Sequence, residues 1–189
     1  LGDVYKRQEL GSVLIEDGKI QELNPANYEC NEVIDANGLF LSPGFIDIHI
    51  HGAGGYDTMD GTVDAIDSIS KTIVKHGTTS FLPTTMTVSI EQINKSMHAI
   101  KELKEKGTSG AQVLGAHLEG PFVSPSAIGA QNPKYLLAPS IETFNEMTAE
   151  CEDVVVSITL APELNGSLNL IKHLSCLLYT SPSHETRRH

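Results

Sequence analysis

The sequence predicts an α/β protein built on a (β/α)8 barrel, truncated to about the first four βα units, with a short β-only segment at its N-terminus. Three observations carry the barrel. From Leu41 onward, short apolar runs alternate with stretches of helical spacing four times in succession, which argues for a parallel sheet with helices outside. No GxGxxG or GxxxxGK[ST] loop follows any predicted strand, as a doubly wound nucleotide-binding sheet would show. Each predicted strand instead runs into polar residues: His49-Ile50-His51-Gly52, Pro83-Thr84-Thr85, His117-Leu118-Glu119-Gly120-Pro121 and Ala161-Pro162-Glu163. Polar groups gathered at the C-terminal ends of several strands mark the catalytic face of such a barrel. A whole barrel takes about 250 residues; the chain has 189.

The elements follow in order. Residues 1–8 and 176–189 show no period continuous with their neighbours and are read as non-native extensions. Residues 9–41 hold a hairpin turning at Asp17-Gly18 and a further short strand over Glu32–Asp35. This β-only segment is too short to bury a core alone and is expected to pair with something else. Residues 42–175 form the barrel units. Phe45–His51 is the first strand; Val63, Ile66, Ile69 and Ile73 mark the first helix. Thr79–Thr85 is the second strand. Ser89 with Gln92 opens the second helix as a capping box, Ile90, Ile93, Met97, Ile100 and Leu103 form its apolar face, and Gly107 stops it. Val113–Leu118, a helix over Ile141–Ala149, Val154–Leu160 and a helix from Leu168 complete the four units.

Composition narrows the function. Lys+Arg 13 against Asp+Glu 24 gives a net charge of -11, with no basic stripe, which speaks against nucleic acid or an anionic membrane surface as partner. The residues given contain no apolar run of about 18, so no membrane span is expected. Cys30, Cys151 and Cys176 are odd in number and widely spaced; no disulfide framework is expected, and the cytoplasm is the expected compartment.

Two features carry chemistry. His49 and His51 are two apart on a strand and so share a face, where two imidazoles can hold one metal ion or be satisfied by neighbouring backbone. Glu119 ends the third strand and His117 shares its face; no Lys or Arg stands in the strand cores to pair with it. Metal ligation and a solvated glutamate hydrogen-bonded to His117 are the alternatives. Asp47, on the His49 face, is a candidate support behind the ligands, as is His117. Glu163 lines the site or packs a loop; Thr84 and Thr85 offer hydroxyls to a ligand or cap the next element. His76, His98 and His173 read as structural. No Gly-x-Ser-x-Gly elbow occurs, and neither Cys30 nor Cys151 is placed as a nucleophile.

Leu41-Ser-Pro-Gly-Phe-Ile-Asp-Ile-His-Ile-His-Gly-Ala-Gly-Gly, His76-Gly-Thr-Thr-Ser-Phe-Leu-Pro-Thr, Gly115-Ala-His-Leu-Glu-Gly-Pro-Phe-Val-Ser-Pro, Gly129-Ala-Gln-Asn-Pro and Thr159-Leu-Ala-Pro-Glu together resemble the N-acetylglucosamine-6-phosphate deacetylases of the amidohydrolase superfamily. The resemblance implies that residues 9–41 belong to a small β-sandwich completed by the C-terminal end of a longer chain. It implies that Glu119 is a metal ligand, in place of the carboxylated lysine of many amidohydrolases. It implies that His49 and His51 are the pair holding a second metal in some members, so that one or two divalent ions, Zn or Fe, are expected. Ala130 and Gln131 match positions that touch the sugar, where many members have histidine instead of Gln131. The implied reaction is hydrolysis of the acetamide of N-acetylglucosamine 6-phosphate in a homodimeric enzyme of amino-sugar catabolism. The general-base Asp and two further metal histidines are implied beyond the fourth unit, so the 189 residues alone are expected to be inactive. Other amidohydrolases acting on cyclic amides or N-acyl substrates, and a catalytically dead binding module, are the competing readings.

Overall fold

A computed structural model describes residues 10–27 and 29–177, with side chains to Ser175. The proposed extension 1–8 lies outside the described residues, as does 176–189 apart from the backbone of its first two residues, which continue the last helix. Contacts divide the chain between Ser42 and Pro43 into two compact units.

In the first unit, β1 (Val13–Glu16) and β2 (Lys19–Leu23) pair antiparallel, from Val13↔Leu23 to Glu16↔Lys19. Asp17 and Gly18 turn the chain with φ of 50° and 70°, the two left-handed residues that a two-residue hairpin loop demands. Asn24 closes the open end: its Oδ1 accepts from Ser12 N at 2.8 Å while its own N donates to Ser12 O. The strand expected over Glu32–Asp35 is not formed. The backbone there makes no ladder and Val33 and Ile34 are exposed. β-branched residues favour extended backbone, but a strand exists only where a partner supplies hydrogen bonds.

The second unit is strand–helix throughout. β3 (Phe45–Ile50) pairs parallel with β6 (Thr78–Pro83), and β6 with β7 (Gln112–Val113). β8 (Ala116–Glu119) pairs parallel with β9 (Val155–Thr159). A parallel bridge from Thr84 to His117 links the end of β6 to β8. Strands therefore neighbour one another in chain order, without the reversal that defines a doubly wound sheet. A two-residue hairpin, β4 (Gly52–Ala53) with β5 (Tyr56–Asp57), decorates the first connection. The third strand, expected to be continuous from Val113, breaks at Leu114-Gly115. Leu114 N donates to Phe81 O, its last tie to β6, and Gly115 turns with φ 150° where a side chain would run into the Val154 carbonyl. The chain thereby leaves β6 to run alongside β9.

The helices are α1 (Val63–Val74), α2 (Ile90–Lys106), α3 (Ile141–Thr148) and α4 (Ser167–Leu177). Thr62, Ser89 and Ser140 cap the first three, each accepting from the backbone N–H three residues on. At α2 the Gln92 amide oxygen accepts from the Ser89 hydroxyl rather than from the Ser89 N–H, so the expected box closes through side chains. The predicted apolar stripes face inward: Ile66, Ile69 and Ile73 from α1 and Ile93, Met97, Ile100 and Leu103 from α2 meet Phe81, Val113, Leu118, Phe144 and Leu170 in one core. Asp67 ties α1 to the loop before β7, accepting from Ser109 N at 2.7 Å and pairing with Lys71. Burial pushes its carboxyl up, but these bonds together outweigh burial and hold it below its usual range. β3 stands at the sheet edge, with Phe45, Ile46 and Ile48 exposed.

Candidate metal centre

His49 and His51 leave the C-terminal end of β3 on one face, with their Nε2 atoms 3.3 Å apart. The ladder to β6 is irregular between Asp47 and Ile50, and side chains replace it there. Asp47 Oδ1 accepts from His49 N at 3.0 Å. Thr84 grips Ile50, the residue between the two histidines: its N donates to Ile50 O at 2.8 Å and its Oγ1 accepts from Ile50 N at 3.0 Å. The Thr84 carbonyl lies 3.1 Å from His51 Nδ1. A carbonyl only accepts, so Nδ1 donates to it, and Nε2 is the ring nitrogen left facing Glu119, where a metal ion would take it as a ligand.

Glu119 reaches the same point from β8. Its Oε2 lies 2.9 Å from His51 Nε2 and 3.4 Å from His49 Nε2, and its N donates to the Thr85 hydroxyl at 3.3 Å. Thr85 and His117 also share a backbone bond of 3.0 Å. Gly120 follows in a left-handed conformation, φ 79°, with the Thr87 side chain where a Cβ would stand.

The donor set fits a divalent ion. Tetrahedral bonds of about 2.0–2.1 Å place neighbouring ligand atoms about 3.3 Å apart; the three separations here are 3.3, 3.4 and 2.9 Å. Two imidazoles and a carboxylate suit Zn or Fe. Among the described residues, His49, His51 and Glu119 form the cluster able to hold a metal.

His117 is not Glu119's hydrogen-bond partner. It is buried, its Nε2 lies 2.8 Å from Thr159 Oγ1 and its Nδ1 3.3 Å from Thr84 Oγ1. Its ring meets that of His49 edge-on, centroids 4.7 Å apart. Burial first, then the neighbouring His49, lower its pKa to about 4, so the imidazole is neutral. Asp47 supports the histidines through the His49 backbone. Ala130 is exposed in a turn. Gln131 reaches toward the second strand instead of the cluster, its Oε1 accepting from Thr87 N at 2.8 Å. Glu163 is exposed in the turn after β9. His98 sits 3.4 Å from the buried Cys151 thiol.

Thr84 and Thr85 are fully buried, and their hydroxyls accept from the backbone N–H groups of Ile50 and Glu119. They bind strand ends together, and the exposed Thr159 joins them through His117. Hydroxyls at the ends of three strands were visible in the sequence, but which backbone group each would meet depends on the breaks in β3 and before β8.

The amidohydrolase family profile matches residues 40–175. N-acetylglucosamine-6-phosphate deacetylase of Bacillus subtilis (strain 168) is 39% identical over 170 residues, covering 87% of this chain and 43% of that protein. N-acetylgalactosamine-6-phosphate deacetylase of Escherichia coli O157:H7 is 34% identical over 160 residues, covering 85% and 42%. The crystal structure of N-acetylglucosamine-6-phosphate deacetylase from Pasteurella multocida superposes with a TM-score of 0.74 at 29% identity, covering 87% of this chain and 44% of that one. The chain thus spans less than half the length of the relatives it matches. With a profile match over residues 40–175, most of its length, the chain belongs to the amidohydrolase family.

Proposed function

We propose that the protein containing this chain is an N-acetylglucosamine-6-phosphate deacetylase. The convergence of His49, His51 and Glu119 on one point carries the reading, in a chain whose relatives bear that name. Residues 42–175 are the first half of its (β/α)8 barrel, residues 9–41 the N-terminal part of a small β-sandwich, and 1–8 and 176–189 extensions foreign to it. The whole enzyme is a cytoplasmic homodimer, and its general-base Asp stands in the second half of the barrel.

One or two divalent ions, Zn or Fe, held by Glu119 with His49 and His51 would polarise the acetamide carbonyl and lower the pKa of a water. The chain's own residues do the rest. His51 keeps its Nε2 lone pair aimed at the site because the Thr84 carbonyl holds its Nδ1 proton. Glu119 contributes the negative charge that offsets the cation. Ala130 and Gln131 stand by the sugar, with Gln131 anchored to the loop after β6 through Thr87 N. The acetamide gives acetate and the free amine of glucosamine 6-phosphate, a water supplying the oxygen to the acyl group and a proton to the nitrogen.

The full-length protein, assayed for acetate release, is expected to turn over N-acetylglucosamine 6-phosphate in preference to its galactosamine epimer and to lose activity on chelation. Residues 1–189 alone are expected to give no turnover. Hydrolysis of a cyclic amide such as dihydroorotate, with none of either acetylated sugar phosphate, would contradict the proposal.

A further inference from the structure

We propose that Thr84, His117 and Thr159 act as one hydrogen-bonded positioning relay that holds His49, His51 and Glu119 at coordinating separation. This rests on the metal reading of those three residues, but not on the identity of the substrate.

Proton counting fixes the direction of the relay. The Thr84 hydroxyl donates its single proton to Leu82 O at 3.1 Å. Its oxygen is then left to accept, and does so from Ile50 N at 3.0 Å and from His117 Nδ1 at 3.3 Å. His117 Nδ1 therefore carries the ring proton, and Nε2 accepts from the Thr159 hydroxyl at 2.8 Å. The chain runs Thr159 to His117 to Thr84 to Leu82, with every donor matched to one acceptor. No lone pair on His117 remains for a metal, although its ring lies against that of His49. A third strand-end histidine beside a metal cluster is thus taken out of the ligand set by its own hydrogen bonds.

The relay touches each ligand by a different route. Thr84 holds Ile50 between the two histidines and holds His51 Nδ1 through its carbonyl. The His117 ring edge sets the plane of His49. His117 is two residues before Glu119 on β8, so fixing one fixes the register of the other. Because Thr84 follows β6 while His117 and Thr159 belong to β8 and β9, the relay bridges the gap where the ladder between β6 and β8 is reduced to one bridge. A hydroxyl-to-imidazole chain does there what backbone pairing does elsewhere.

The test is zinc affinity of the full-length protein, measured by competition with a chromogenic chelator beside the thermal midpoint of each variant. Thr84→Val, Thr159→Val and His117→Phe are each expected to weaken zinc binding by roughly 10–100-fold. Thr84→Ser and Thr159→Ser, which keep the hydroxyl, are expected to bind as the parent does. The Thr84→Val/Thr159→Val double variant is expected to lose less than the product of the single losses, because the first break already frees the ring. Parent-like affinity in both valine variants overturns the relay, as does an equal loss in the serine variants. Should His117→Phe not fold, the threonine pairs decide. A parent protein that binds zinc yet deacetylates no sugar phosphate removes the proposed substrate and leaves the relay intact; one that binds no zinc overturns the relay.

Discussion

Glu119→Gln in the full-length protein is expected to lower metal affinity by more than about 100-fold, beyond the loss typical of removing a group behind the ligands, and to take the proposed deacetylase activity with it. The substitution is nearly isosteric, so packing is spared. What changes is charge: Glu119 is the anion of the set, 2.9 Å from His51 Nε2 and 3.4 Å from His49 Nε2. An amide in its place is a weaker ligand and, with its NH2 turned inward, donates to the very lone pairs meant for the ion. Metal content per protein and acetate release, measured at saturating and at limiting metal, separate lost affinity from lost chemistry. Unchanged metal content and turnover would remove Glu119 from the site.

The largest effect on stability is expected from Phe81→Ala, at about 3–5 kcal/mol in urea unfolding of the full-length protein. Phe81 is fully buried in β6, which pairs with both β3 and β7. Its ring is one of the largest side chains of the core, and its carbonyl receives Leu114 N where the chain departs for β8. An alanine leaves a cavity bounded by paired strands and packed helices, surroundings with little freedom to collapse. The same strand carries Thr84 and Thr85 at its end, so metal affinity is expected to fall with stability. A cost below about 1 kcal/mol would mean that the core closes around the gap, contrary to the packing described.

What was legible in the sequence is what period and spacing control. The helix faces of α1 and α2 were readable because three-and-four spacing of isoleucines has one geometric solution. The hairpin was readable because Asp-Gly supplies two left-handed residues. His49, His51 and Glu119 were readable as a group because strand alternation and strand ends put them on one rim. Glu32–Asp35 misled because propensity says nothing about whether a pairing partner is present. The third strand is shorter than its apolar run, because the run does not reveal that Gly115 breaks it. The hydrogen-bond partners of Thr84, His117 and Thr159 are not legible for a related reason. Their roles depend on which neighbour each polar atom meets across a sheet irregularity, and sequence spacing along one strand carries no information about that. Gln131 stood out as a departure from the pattern it resembles, but its bond to Thr87 N is visible only in three dimensions.

A metal ion is proposed to sit between His49, His51 and Glu119. Crystals of the full-length protein grown with zinc, with diffraction recorded on both sides of the zinc absorption edge, test it most directly. An anomalous peak is expected about 2.0–2.2 Å from His49 Nε2, His51 Nε2 and a Glu119 carboxylate oxygen. A fully occupied zinc bound elsewhere, with these three side chains still hydrogen-bonded only to one another, would contradict it.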